Sequence, residues 1–298
     1  MNLFRDIVAS VLVGVILFAG AATALGFALN RTFLPQTAMN IIADTRAGER
    51  LTAALPDYLK NNVAIPWINL VPDETFKSLV AAALPAADAD RLLRSVSGEV
   101  VNYVRGDSAT LSKIDLAPIE SRAVNAAKKT SPGIVGDEFG LAVAAQFKNA
   151  GLEKGIELPR KELDAAKNAF AALRAGTAIV MAVAIFTLLL LFFVAPNKLR
   201  GRLIWCAVSL FVSGLATALL AHFLATVFVI MQVKMQTPAA SPEVAALVKD
   251  VLIQVGLILE KNTNSFAFAY LAAGAVLGVF GLVFGARQAP VNKTSLSQ

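Results

Sequence analysis

Residues 7–29 read IVASVLVGVILFAGAATALGFAL, a run that contains no Asp, Glu, Lys or Arg. A helix needs about 20 predominantly apolar residues to cross a bilayer core about 30 Å thick, because lipid offers no partners for unpaired backbone groups. Three further segments meet this requirement, namely 175–195, 203–231 and 266–286. The sequence therefore predicts an all-α membrane protein with four transmembrane helices.

The composition of the whole chain favours the same class. Of its 298 residues, 56% are hydrophobic and 16% are charged, and the mean hydropathy is +0.64, which is too apolar for an ordinary soluble protein of this size. The first run could instead be a cleaved secretory signal, since residues 19–22 are small. Because the apolar run continues to Leu29, beyond a typical signal core, we expect an uncleaved anchor.

The basic residues predict an orientation. The segments 1–6, 196–202 and 287–298 together hold six basic residues and one acidic residue. Lys and Arg in short flanking segments are retained in the cytoplasm. We therefore expect cytoplasmic N and C termini in the plasma (inner) membrane, with the segments 30–174 and 232–265 on the extracytoplasmic side.

The nearly neutral charge of the segment 30–174 argues against a nucleic-acid partner. Residues 30–174 hold 18 basic and 17 acidic residues, so the pI near 9.5 comes from the flanks of the spans. A nearly neutral domain gives no indication of a nucleic-acid partner. The single cysteine, Cys206, cannot form an intramolecular disulfide.

Proline and glycine positions predict that the segment 30–174 is mostly helical. Residues 110–116 partly alternate, which predicts an extended connector or one edge of a small pairing. No proline interrupts residues 160–195, so we expect the last helix of the domain to continue into the second span. From Ser241, an amphipathic helix is predicted that packs on the domain, on the bilayer surface or on a partner. The helices predicted for the domain are 36–45, 47–62, 73–84, 86–105, 117–129, 137–149 and 159–174.

Few residues of this chain suggest chemistry. The only histidine, His222, lies deep in the third span, near its extracytoplasmic end, where it can reach headgroups or a neighbouring helix. It cannot form a multi-histidine zinc site alone, and the acidic residues are dispersed. Residues 131–137 precede a helix but lack the lysine of a phosphate loop. We therefore predict no metal site, no cofactor and no enzymatic activity.

Small residues in two spans predict close helix packing, either within this chain or with a partner's helix. In the first span, the glycines at 14, 20 and 26 do not keep to one face, so no packing motif is predicted there. Trp67, among apolar residues 64–71, is a core residue, an interfacial residue or part of a partner-binding patch. The predicted packing residues are Ser209, Ser213 and Gly214 in the third span and Gly274, Gly278, Gly281 and Gly285 in the fourth.

Three short motifs carry a family resemblance. Leu-Pro-x-x-Tyr-Leu is approximated at 55–59, Tyr-Val-Arg-Gly-Asp stands at 103–107, and Ile-Asp-Leu-Ala-Pro stands at 114–118. With the four spans, they resemble a group of bacterial membrane proteins that have one large extracytoplasmic helical domain. That group has no established function, so the resemblance implies the architecture only.

The layout alone is also similar to that of FtsX-type and MacB-type ABC permeases. Those permeases need cytoplasmic surface for an ATPase, whereas the cytoplasmic segments predicted here have six, seven and twelve residues. We therefore expect an accessory or structural subunit of an envelope complex, whose extracytoplasmic domain binds another membrane or envelope protein, with lipids around the spans. The alternative is a transport component, which should show a cavity between its spans, whereas the low polarity of the spans favours a closed bundle.

Overall fold

The computed structural model describes residues 2–62, 71–130, 134–149, 151, 155–195, 199–234 and 242–286, and in these ranges the fold is all-helical. Outside the helices, the described residues contain one isolated antiparallel bridge, in which Ile114 and Ile156 exchange two backbone hydrogen bonds of 3.0 Å. The helices are α1 (Asn2–Thr32), α2 (Pro35–Asp44), α3 (Ala47–Asn62), α4 (Asp73–Ala83), α5 (Ala86–Arg105), α6 (Ala117–Thr130), α7 (Ile134–Asn149), α8 (Arg160–Val194), α9 (Leu199–Lys234) and α10 (Pro242–Ala286).

The prediction of four membrane-spanning helices is confirmed, because α1, α8, α9 and α10 are long and apolar enough to cross a bilayer. Large apolar side chains stand on their outer faces: Phe18 is 76% exposed, Leu219 73% and Phe268 71%. Soluble proteins seldom leave many such residues exposed together, whereas lipid is a suitable environment for them. The chain has the character of a multi-pass membrane protein.

The chain divides into two compact units. The first, called the apolar bundle here, comprises Met1–Thr32, Ala172–Val227 and Gly256–Gln298. The second, called the helical domain, comprises Phe33–Ala171 and Phe228–Val255.

The apolar bundle has its core between α1, α8 and α9, where Ala9, Ile16, Leu191 and Cys206 are buried together. At one end of this core, Arg5 donates hydrogen bonds to the last carbonyls of α8. A helix ends with carbonyls that have no partner in the helix, and a cation there is also favoured by the helix dipole. The guanidinium group therefore fixes the start of α1 beside the end of α8.

Another polar contact joins the first and last helices of the apolar bundle. Asn262 of α10 donates a 3.0 Å hydrogen bond to the hydroxyl of Thr32 at the end of α1, and both side chains are buried. The hydroxyl of Thr32 in turn donates to the Ala28 carbonyl at 2.8 Å. Nearby, the rings of Phe27 and Phe266 stack with their centroids 5.7 Å apart. These contacts hold α10 against α1.

Short helices form the helical domain by packing in pairs, α2 and α3 on α5, and α4 and α7 on α6. One apolar cluster includes Leu79 and Val143, and another includes Phe76 and Val80. Pro72 precedes α4, whose first residues Asp73 and Glu74 suit the positive end of the helix dipole. The start of α4 is thus set by residues that can be recognised in the sequence.

The helical domain also includes the first turns of α8. Tyr103 of α5 is buried and donates its hydroxyl to Asp164, while the ammonium group of Lys167 lies 4.5 Å from the centre of the Tyr103 ring. Two causes raise the pKa of Tyr103 above its ordinary value: the hydrogen bond to Asp164 is the larger, and burial is the second. As predicted, α5 ends at Arg105, and the next residue, Gly106, has a φ of 80° in the left-handed region that glycine adopts readily.

Two helices, α8 and α10, continue across the predicted edge of a membrane span. The expectation that α8 runs unbroken into the second span is confirmed. In contrast, the fourth span is predicted to begin at residue 266, after a separate segment 232–265, whereas α10 is a single helix from Pro242 to Ala286. The polar residues 262–265 contain no proline or glycine, and buried partners satisfy Asn262 and Thr263 inside the apolar bundle. Polarity at this point therefore reflects packing and not a helix end.

Candidate functional site

A cavity of about 340 Å³ lies inside the apolar bundle. All four long helices contribute to its walls, which are mainly apolar. The low polarity of the spans predicts a closed bundle, whereas the structure leaves this cavity between the helices. The lining residues are Ile16, Gly20, Thr23, Phe27, Met181, Ala184, Ile185, Leu188, Leu210, Ser213, Phe266 and Tyr270.

Two hydroxyl groups at the cavity have no hydrogen-bond partner. Thr23 of α1 is 4% exposed and Ser213 of α9 is 1% exposed, and the oxygens of both are buried. Other buried hydroxyls in the same bundle donate to a carbonyl one turn earlier on their own helix, as Thr217 does at 2.7 Å and Thr263 at 2.8 Å. A buried polar group without a partner costs about 1–3 kcal/mol, so these two lining residues keep an unsatisfied hydroxyl beside the cavity.

A third hydroxyl at the cavity has only a long hydrogen bond. Tyr270 of α10 donates to the Gly20 carbonyl at 3.3 Å, beyond the usual distance for a hydroxyl donor. Gly20 also lies so close to Ser213 that a β-carbon there would be 3.3 Å from the serine oxygen. Thr23, Ser213 and Tyr270, from three different helices, therefore place hydroxyls around one uncharged cavity.

The glycines of α1 have a role that the sequence analysis did not predict. A β-carbon at Gly26 would lie 2.0 Å from the hydroxyl oxygen of Thr177, so no side chain fits between α1 and α8 at this point. Gly20 is close to α9, whereas a β-carbon at Gly14 would meet nothing within 4 Å. The spacing of six hid this pattern, because Gly20 and Gly26 approach different neighbouring helices.

Most of the predicted packing residues lie between α9 and α10 of this chain. A β-carbon at Gly274 would be 2.9 Å from backbone atoms of Ala207 and Phe211, and one at Gly214 would be 2.8 Å from Leu271. Ser209 is fully buried and donates to the Cys206 carbonyl at 2.8 Å.

The other fourth-span glycines extend this contact unevenly. A β-carbon at Gly281 would be 3.2 Å from Ile204, whereas one at Gly278 would be 3.7 Å from Ala207, an ordinary contact distance. The surroundings of Gly285 lie outside the described part of the structure. The small residues thus let α9 and α10 of one chain pack closely.

Of the two predicted interaction residues, His222 lies in the described part of the chain. His222 is exposed on α9, with its Nδ1 atom 3.9 Å from a carboxylate oxygen of Glu260 on α10. Trp67 lies outside the described residues. Within the described ranges, no three His, Cys, Asp or Glu side chains are grouped so that they could hold a metal ion.

A second concave surface lies in the helical domain and differs in chemistry from the cavity. This charged groove, about 440 Å³ in volume, is lined by Asp44, Thr45, Arg46, Glu49, Arg50, Asp250, Ile253 and Gln254. Arg50 of α3 forms an ion pair with Asp250 of α10 across it. Exposed Arg46 stands between α2 and α3 with a φ of 49°, a conformation that costs a non-glycine residue about 1–2 kcal/mol.

No protein family, curated protein or solved structure matches this chain. The geometry of the two sites is therefore the basis for a proposal of function. The apolar bundle offers a cavity for an apolar molecule with a small polar group, and the helical domain offers a groove of mixed charge.

Proposed function

We propose that this chain is a non-enzymatic protein of the plasma (inner) membrane and serves as an accessory or structural subunit of an envelope complex. Its helical domain is the partner-binding module on the extracytoplasmic side, and both termini are cytoplasmic. The exposed apolar faces of α1, α9 and α10 support the membrane location. Six basic residues in the segments 1–6, 196–202 and 287–298 support the orientation.

The charged groove is the observation that carries the partner-binding role. Asp44, Arg46 and Glu49 line the groove with exposed side chains of negative and positive charge. The turn between α2 and α3 holds Arg46 at a positive φ, which is unfavourable for a residue other than glycine. Backbone strain of this kind persists where the surrounding structure enforces it, and it is frequent at binding sites. A mixed-charge groove suits a polypeptide segment with complementary charges, because such pairing determines the orientation of a partner.

Purification of the tagged full chain from its native membrane in a mild detergent, followed by mass spectrometry, tests this proposal. We expect a stoichiometric partner that is not an ATPase. Arg46→Ala should reduce its recovery at least fivefold, because the variant removes an exposed charge from the groove. Arg91→Ala is the matched control, since Arg91 is an exposed arginine on α5 that does not line the groove.

Arg46→Gly separates binding from backbone strain. Glycine adopts a positive φ without steric cost, so this variant should gain about 1 kcal/mol of stability and still lose the partner. Equal partner recovery from the Arg46→Ala and Arg91→Ala variants would contradict the proposal. Recovery of the chain without any stoichiometric partner would contradict it as well.

The cavity favours a second candidate, a transport component that acts on an apolar substrate. A cavity between membrane-spanning helices is what a conduit or a permease-like subunit requires, and the layout of the chain is similar to that of FtsX-type and MacB-type permeases. A copurifying ATPase in the same experiment would support this candidate over the first.

A further inference from the structure

The cavity in the apolar bundle selects against charged molecules. Its described lining contains no Asp, Glu, Lys, Arg or His, and its polar side chains are the hydroxyls of Thr23, Ser213 and Tyr270. A phosphate or ammonium group placed there would lose its hydration without gaining a charged partner, which is very unfavourable. Any occupant must therefore be apolar over most of its surface and carry a neutral polar group.

The partnerless hydroxyls indicate what that polar group provides. Thr23 and Ser213 each have a proton to donate, and their oxygens are buried, so each side chain would turn to another staggered rotamer to reach an occupant. An oxygen atom of an occupant would accept these hydrogen bonds and remove the cost of the two partnerless groups. We infer that the cavity binds a neutral single-chain lipid, a fatty or isoprenoid chain that ends in an alcohol or a carbonyl, with Thr23 and Ser213 donating to its oxygen.

Size and access agree with a chain of this kind. At about 30 Å³ for each water-sized group, the volume of about 340 Å³ holds roughly ten methylene-sized groups. Ile185 both lines the cavity and is 53% exposed on the outer face of the apolar bundle. A lipid chain can therefore enter sideways from the membrane between the helices.

Photolabelling of the purified full chain in lipid nanodiscs tests the site. The probe is hexadecanol with a diazirine on a carbon near its hydroxyl, within the roughly ten methylene-sized groups that the cavity holds, and peptide mass spectrometry locates the label. We expect labelling around Met181 and Leu188, reduced at least tenfold by Ala184→Phe, which fills the cavity. Ala182→Phe is the matched control, because Ala182 is exposed on the same helix and does not line the cavity.

Competition with unlabelled compounds tests the hydroxyls. In the unaltered chain, hexadecanol should displace the probe better than hexadecane does. The combined substitutions Thr23→Val and Ser213→Ala keep the shape of the wall nearly unchanged and should weaken competition by hexadecanol about 30-fold, because two neutral hydrogen bonds are lost. Competition by hexadecane should not change.

Either of two results would overturn the inference: equal labelling of the Ala184→Phe and Ala182→Phe variants, or equal competition by the alcohol and the alkane. Protection of Cys206 from a thiol reagent shows that each variant is folded, since this cysteine is buried in the core of the apolar bundle. The inference is independent of partner binding, so Arg46→Ala should leave the labelling unchanged. Labelling without measurable transport would indicate a bound lipid and contradict only the transport candidate.

Discussion

Gly26→Ala tests the close contact between α1 and α8. The new β-carbon would lie 2.0 Å from Oγ1, 2.8 Å from Cγ2 and 2.9 Å from Cβ of Thr177, all closer than atoms can approach. Thr177 cannot rotate away freely, because its hydroxyl donates to the Leu173 carbonyl at 2.7 Å. Overpacking costs about 1–3 kcal/mol and the lost hydrogen bond about 1 kcal/mol, so we expect a loss of about 2–4 kcal/mol.

The chain contains its own reporter for this measurement. Cys206 is the only cysteine and is 4% exposed, so a thiol-reactive fluorophore in detergent signals unfolding of the apolar bundle during heating. At about 2–4 °C for each kcal/mol, the midpoint for Gly26→Ala should fall by roughly 5–15 °C.

Gly14→Ala is the matched control, because its β-carbon would meet nothing within 4 Å and alanine favours a helix over glycine. Its midpoint should stay the same or rise. Adding Thr177→Ala to Gly26→Ala removes two of the three clashing atoms and should restore part of the lost stability. The reasoning is refuted if the two glycine variants melt alike, or if Thr177→Ala restores nothing.

Two further predictions concern single polar side chains. Arg5→Lys keeps the charge but loses the paired hydrogen bonds to the carbonyls of Val194 and Ala195, so the same melting assay should show a loss of about 1–3 kcal/mol; an unchanged midpoint would exclude this role. Asp164→Asn should lower the pKa of Tyr103 towards its ordinary value of 10.0. Absorbance titration measures this pKa, and the Tyr103→Phe variant identifies the signal that belongs to Tyr103. Because folding raises the pKa of Tyr103, the stabilisation from this hydrogen bond is complete at pH values below the ordinary pKa and is lost as the pH rises through the folded pKa. If Asp164→Asn leaves the titration of Tyr103 unshifted, this prediction is wrong.

Helix positions were the most predictable part of the fold, because their signals are local. Prolines at 72 and 85 and the glycine at 106 mark helix ends directly, and the predicted bounds of α5 match those observed. The start of α7 was placed after Gly136, but the helix begins at Ile134, since one glycine does not end a helix. The continuity of α10 is not predicted, because the apolar run of the fourth span begins only at residue 266, after the polar residues near 262.

The candidate site was less predictable because it depends on how four helices align. Gly26 and Thr177 are far apart in sequence, and only the relative height and rotation of α1 and α8 bring them into contact. The cavity likewise belongs to no single segment. A signal was nevertheless present, since Thr23, Ser213 and Tyr270 are polar residues within predicted spans, where each polar group requires an explanation.

The hydrogen bond between Asn262 and Thr32 has a consequence for assembly. Uniformly apolar helices can slide and turn against one another with little change in energy, because lipid contacts replace helix contacts. An amide cannot do so, since it finds its partner at only one height and one rotation. The amide of Asn262 thereby fixes both the height and the rotation of α10 against α1, two helices that are far apart in the sequence.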